Sequence, residues 1–141
     1  VKLTILAVGK LRDAWVQDAA AEYLKRLRGK LPLEVIEVKD DAELTRKIPP
    51  RARLWALDER GKQLSSDELA ASLKQHMNAG EQGIAFIIGG ADGLPRALVD
   101  KAHFTWSLGR LTLPHRLARI IVLEQLYRAQ SILRGEPYHR A

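Results

Sequence analysis

Chemistry in this chain has to come from a small set of residues. The four histidines stand at 76, 103, 115 and 139. A glycine run, Gly89-Gly90-Ala91-Asp92-Gly93, follows an apolar stretch, and a leucine-rich run between Gly109 and Pro114 precedes the most apolar helical pattern. Near the C-terminus stands Tyr138-His139-Arg140. Several reaction classes lack their motif. The histidines show no HExxH-like spacing and no accompanying carboxylate cluster, so no metal site is expected. No GxSxG elbow marks a nucleophilic serine. The first turn, Val8-Gly9-Lys10-Leu11-Arg12, lacks the second and third glycines of a dinucleotide fingerprint, and there is no GxxxxGK[ST] run to cradle phosphate. Gly89, Gly90 and Gly93 could let a ligand approach the backbone, or could simply make a tight turn. Asp92 reads as a turn residue, His115 as a helix-start residue and His139, taken alone, as part of a disordered end.

The elements that must position these residues alternate. Lys2 to Val8 (KLTILAV) reads as a buried strand. Asp13 is placed to cap a helix with the stripe Val16, Ala20, Leu24 and Leu27. Leu33 to Val38 is a second strand, and residues 40–47 form at most two helical turns before Pro49-Pro50. Arg53 to Leu57 is a third strand, and Asp58-Glu59-Arg60-Gly61 a turn. Ser65 and Glu68 form a capping box for a helix with the stripe Leu69, Leu73 and Met77. Ile84 to Ile88 is a fully apolar strand, suited to a parallel sheet covered on both faces. Pro95 opens a short helix to about Ala102, residues 104–108 form a fifth strand, and a helix spans 115–134. The fold class is therefore α/β: one domain over residues 1–141, a mostly parallel sheet with helices on both faces. Ligands in such sheets sit beyond the carboxyl ends of strands, which selects the loops at 57–61, 89–93 and 109–114.

The composition is that of an ordinary globule, with 46% hydrophobic and 28% charged residues. No apolar run approaches a membrane span and no signal-peptide pattern is visible, so a cytoplasmic protein is expected. Zero cysteines exclude disulfides and thiolate metal sites. The net charge of +6 is uneven: residues 96–141 carry 8 Lys+Arg against 3 Asp+Glu. That asymmetry fits a polyanionic partner or a solvated basic face. Arg116, Arg119 and Arg128 on the last apolar helix are expected to face RNA or a partner chain.

Five segments carry a resemblance: ILAVGKLRDAW, IIGGADGL, WSLGRLTLPH, EQLYRA and RGEPYHR. In this order and spacing, from Lys2 to Arg140, the chain resembles the RlmH family. These are SPOUT-class RNA methyltransferases that modify a pseudouridine of large-subunit (23S) ribosomal RNA. The stretch between Lys39 and Arg51 is shorter than in the family, which trims the second helix. The resemblance implies S-adenosylmethionine as methyl donor, no metal, and a C-terminal deep trefoil knot with the 115–134 helix threaded through a loop. It places donor binding at Leu57, Gly89, Leu108, Gly109, Arg110, Leu111, Thr112 and Leu113. Leu57, Leu111 and Leu113 would wall an adenine slot, with Gly89 and Gly90 admitting the main chain to the ribose and methionine part. It implies a homodimer in which the tail of one chain completes the site of the other. There His139 is expected as general base, Arg140 as anion or phosphate partner and Tyr138 as a packing or stacking residue. The substrate would be N3 of a pseudouridine on the assembled ribosome. Rival readings are a SPOUT methyltransferase of another RNA such as tRNA, and a non-catalytic ribosome-binding factor.

Overall fold

Ten elements follow one another in the computed structural model, which describes residues 2–80 and 82–140. They are β1 (Lys2–Val8), α1 (Ala14–Leu27), β2 (Leu33–Val38), α2 (Asp41–Lys47), β3 (Arg53–Gln63), α3 (Ser66–Asn78), β4 (Gly83–Ile88), α4 (Arg96–Lys101), β5 (Phe104–Ser107) and α5 (His115–Leu133). The strands form one sheet in the order β2-β1-β4-β3-β5, and every pairing is parallel. β1 and β4 lie inside it, and all six residues of β4 are buried. Side chains alternate across the sheet. Leu3, Ile5, Ile84 and Phe86 therefore meet α1, α3 and α5 on one face, while Leu6, Ala85 and Ile87 meet Leu44 of α2 and Leu98 and Val99 of α4 on the other.

α1 and α3 carry the chain toward the β2 edge over one face, and α2 and α4 carry it back over the other. All four crossovers therefore share one hand, as parallel crossovers almost always do. α5 then returns from the β5 edge to the middle of the first face, where Val122, Leu123, Leu126 and Ala129 are fully buried. Its contacts are mainly with α1 and α3.

Several local expectations need correction. Residues 58–61 are not a free turn, because β3 continues to Gln63 through a register shift between Leu57 and Lys62. This is a bulge against β5, and at Gly61 an added Cβ would lie 2.5 Å from the Thr105 carbonyl oxygen. Asp13 stands at the N-cap of α1 but makes no capping bond; its carboxylate faces Arg116 at 3.6 Å instead. Leu24 is only partly buried. Met77 leaves the core at the last turn of α3 and edges a shallow apolar slot with Leu31 and Leu133. The capping box holds: the Glu68 amide donates to Ser65 Oγ (3.0 Å) and the Ser65 amide to Glu68 Oε1 (2.7 Å). α2 is the short, two-turn helix expected, capped by Asp40, which accepts from the Glu43 amide.

Candidate active site

The bulged middle of β3 and the carboxyl ends of β4 and β5 open into a cleft of about 890 Å³, closed on one side by the first turn of α5. That volume lies in the range of small-molecule sites, about 300–1,000 Å³. The cleft is lined by Leu57, Gly89, Leu108, Gly109, Leu111, Thr112 and Leu113. Arg110 is exposed and lies outside the lining, at the outer side of the loop. Leu57 and Leu113 are half-buried wall residues, whereas Leu111 is 78% exposed and forms a rim.

Local backbone chemistry explains both loops. A Cβ on Gly89 would sit 2.4 Å from the Gly93 carbonyl carbon and 2.6 Å from the Leu94 nitrogen. Glycine at 89 is thus required by the fold of its own loop, which also bridges Gly90 to Gly93 with Gly93 at φ +78. The tight-turn reading of this run is met, and the turn presents its backbone to the cleft. β5 stops at Ser107, whose buried hydroxyl accepts from the Gly109 amide (3.1 Å) and donates to the Gly109 carbonyl (3.0 Å). Gly109, at φ +139, then turns the chain toward α5. Thr112 Oγ1 reaches Glu59 Oε2 at 3.4 Å, tying this loop to the bulge of β3.

Charges at the cleft are mostly paired. Asp58 is a lining residue; burial raises its carboxyl, but hydrogen bonds from the Arg60 side chain and amide outweigh that and hold it below the usual value. Arg60 Nη2 stands 3.2 Å from Asp58 Oδ2, and Arg96 approaches at 3.9 Å. A turn-type motif gave no hint of this anchored carboxylate. Behind the opposite wall, Arg119 is 2% exposed. It pairs with Glu37 Oε2 and donates through Nη2 to the Gly9 carbonyl at 2.8 Å, while its Nε has no partner. Glu37 also accepts from the Leu11 amide at 3.1 Å. Arg119 therefore faces neither RNA nor solvent, contrary to expectation, because the end of β2 brings an acidic partner under it.

The tail lies elsewhere. Residues 134–140 fold back along α5, so the disordered end expected of an isolated polar tail is not what forms. The Glu136 amide donates to the Ser131 carbonyl (2.9 Å), and its carboxylate pairs with Lys30 at 3.2 Å. Tyr138 stacks edge-on against Tyr127 (4.7 Å) and donates its hydroxyl to Glu124 Oε2 at 2.8 Å. Burial, then hydrogen bonds with Tyr23 and Glu124, push its phenol far above its usual range, so the neutral form is held. His139 Nδ1 lies 3.1 Å from Arg128 Nη1, and Nε2 lies 3.7 Å from Asp67 Oδ2. Arg140 is exposed. Within one chain, Tyr138, His139 and Arg140 are grouped together but are not part of the cleft lining.

S-adenosylmethionine carries an adenine, a ribose and a sulfonium cation but no phosphate. The donor set suits it: leucine walls, open backbone at residues 89–93 and 108–113, and the Asp58 carboxylate, with no phosphate-cradling glycine loop. Among the described residues no cluster of three or more His, Asp or Glu is placed to hold a metal ion, and no helix is long and apolar enough to cross a membrane.

Residues 1–139 match a family profile described as "Predicted SPOUT methyltransferase". A protein from Carboxydothermus hydrogenoformans named ribosomal RNA large subunit methyltransferase H is 41% identical, over 99% of this chain and 100% of its own length. A protein of the same name from Parasynechococcus marenigrum is 46% identical, over 97% and 95%. In solved structures, the fold is similar to a probable methylase family protein of Haemophilus influenzae (TM-score 0.62, 14% identity, 99% of this chain and 70% of that one). It is also similar to a probable methyltransferase of Bordetella pertussis (TM-score 0.61, 16% identity, 92% and 96%). With profile and relatives matching nearly end to end, this chain belongs to the SPOUT methyltransferase family, within its RlmH group.

Proposed function

We propose that this protein transfers a methyl group from S-adenosylmethionine to N3 of a pseudouridine in 23S ribosomal RNA, acting on the assembled ribosome as a cytoplasmic homodimer. The observation that carries the reading is the convergence of Leu57, Gly89 and the loop at 108–113 on one cleft, in a chain whose relatives are named for this rRNA activity. Bound there, the donor supplies an electrophilic methyl group. Leu57, Leu111 and Leu113 hold its adenine by apolar contact, the backbone around Leu108 and Gly109 reads the base edge, and Gly89 and Thr112 shape the floor. Arg110, outside the lining, is available to RNA instead. Holding donor and acceptor in line supplies the orientation term.

N3 of the base carries a proton, and methylation needs that proton gone. Tyr138, His139 and Arg140 are the polar groups suited to the acceptor. Because their own chain keeps them off its cleft, they serve the cleft of the partner in the dimer. A deep trefoil knot is part of the same reading. Its support is the route from β5, at the sheet edge, past the bulge of β3 and the end of β4 to the head of α5, where His115 Nε2 lies 4.0 Å from a Cβ built on Gly9. Mass spectrometry of rRNA from a deletion strain tests the function. Loss of one N3-methylated pseudouridine from the large subunit, restored by the intact gene, is expected. Unchanged large-subunit rRNA, with a methyl lost from tRNA or from nothing, overturns it.

A further inference from the structure

The hydrogen bonds of the tail fix which nitrogen of His139 carries its proton. A guanidinium has only donors, so Arg128 Nη1, 3.1 Å from His139 Nδ1, obliges Nδ1 to accept. The ring proton of the neutral imidazole is then on Nε2. The other flank agrees: the group facing Nε2 is the Asp67 carboxylate, an acceptor, at 3.7 Å. Arg128 is itself immobilised. Its Nε and Nη2 donate to Glu124 Oε2 at 3.1 and 2.8 Å, and its guanidinium covers the Tyr138 ring at 4.8 Å from the centroid. Glu124 in turn accepts from Tyr138. The groups facing the imidazole are thus Arg128 from α5 and Asp67 from α3, with Tyr138 and Arg140 adjacent in the chain.

A neutral imidazole with Nδ1 occupied and Nε2 protonated has no free lone pair. We propose that His139 acts in the methyl transfer as a hydrogen-bond donor through Nε2–H, not as a general base, and that Arg128 is the positioning residue that sets this tautomer. The inference rests on the reaction proposed above. At 3.7 Å the Asp67 contact is too long to be a hydrogen bond, so Nε2–H is left to donate elsewhere. The N3 proton passes to water or hydroxide, leaving an imide anion with charge on its flanking carbonyl oxygens. N3 uses its lone pair to form the new bond to the methyl carbon while the carbon–sulfur bond breaks and its pair stays on sulfur. The sulfonium becomes a neutral thioether and the base a neutral N3-methyl product. The Nε2–H of His139 and the guanidinium of Arg140 stabilise the carbonyl oxygens of that anion, a donor role of the oxyanion-hole kind.

Two measurements test this, and they fail independently of the function. Long-range ¹H–¹⁵N NMR of the labelled protein, with His139 assigned by its loss in His139→Gln, reads the tautomer directly. An imine-type Nδ1 and a pyrrole-type Nε2 are expected in the wild type, and a pyrrole-type Nδ1 overturns the inference even if the enzyme is active. In Arg128→Met the tautomer preference weakens, and in Arg128→Lys, which retains a donor, it persists. Methylation of ribosomes then separates donor from base. Glutamine places an amide N–H near the position of Nε2 but cannot take a proton. His139→Ala is expected to lose on the order of 10²-fold in kcat, the worth of one such donor, and His139→Gln to recover part of that loss. Equal loss in both variants overturns the donor role. A wild-type protein that methylates no rRNA overturns the reaction proposed above, and the NMR result is unaffected by that outcome.

Discussion

Removing either end of the Arg119–Glu37 pair should destabilise the protein unequally, and the structure says which end matters more. The Arg119 side chain is 2% exposed and that of Glu37 is 35% exposed. Glu37→Ala leaves a guanidinium buried without its counter-charge and removes the acceptor of the Leu11 amide. Breaking a buried pair in this way costs about 3–5 kcal/mol. Arg119→Met strands a carboxylate that can rehydrate, replaces the long charged chain with an apolar one, and eliminates the partnerless Nε. What remains is the Gly9 carbonyl without its donor, worth about 1–2 kcal/mol. For a chain of this size each kcal/mol moves Tm by roughly 2–4 °C. Glu37→Ala should therefore melt on the order of 10 °C below wild type, and Arg119→Met a few degrees below. Urea unfolding followed by circular dichroism gives both free energies, and the double variant gives the coupling between them. If Arg119→Met proves the more damaging, or if both fall within about 0.5 kcal/mol of wild type, the reasoning from burial is wrong.

Other outcomes follow from single contacts. Ser65→Ala should lose about 1 kcal/mol by thermal melting, because it removes the acceptor of the Glu68 amide at the start of α3. Gly89→Ala forces a carbon to within 2.4 Å of the Gly93 backbone, so titration calorimetry with S-adenosylmethionine should show binding reduced at least tenfold, and unchanged binding would refute the role of this turn. Asp58 has a folded-state pKa below its ordinary value of 3.8. Its contribution is therefore complete above that value and disappears as pH falls through the lower folded value. Asp58→Asn should flatten the stability profile below about pH 4, and an unchanged acid limb would refute the Arg60 anchoring. Tyr138→Phe keeps the stack on Tyr127 and should cost no more than about 1.5 kcal/mol by urea unfolding.

The sheet was legible because its strands are apolar runs between breakers, and β4 in particular could only be a strand covered on both faces. The rule that ligands lie beyond strand ends picked out the three stretches that line the cleft before any resemblance was used, although the first of them is a bulge inside β3. The bulge at 58–61 was not legible: Asp58, Glu59, Arg60 and Gly61 are turn-type residues, and only pairing with β5 makes them part of β3. The burial of Arg119 was hidden for a similar reason, since its partner lies 82 positions away in the chain. An arginine on an apolar helix announces that something must neutralise it, but not whether that is nucleic acid, a second chain or an internal acid. On local grounds the tail reads as disordered, because Lys30, which pins Glu136, is 106 residues distant.

The placement of α5 also governs how the molecule comes into being. The helix covers the middle of a sheet whose other elements all precede it, and its buried side chains are the lid of that face. Until it docks, α1 and α3 cover that apolar face only in part, and Glu37 waits for its arginine. Contacts this remote in sequence pay loop-closure entropy before they return any energy, so refolding should be slow and prone to clumping at high concentration. During synthesis the nascent chain would carry an exposed sheet face until about residue 130 has cleared the exit tunnel, the interval in which a chaperone holding apolar surface has most to offer.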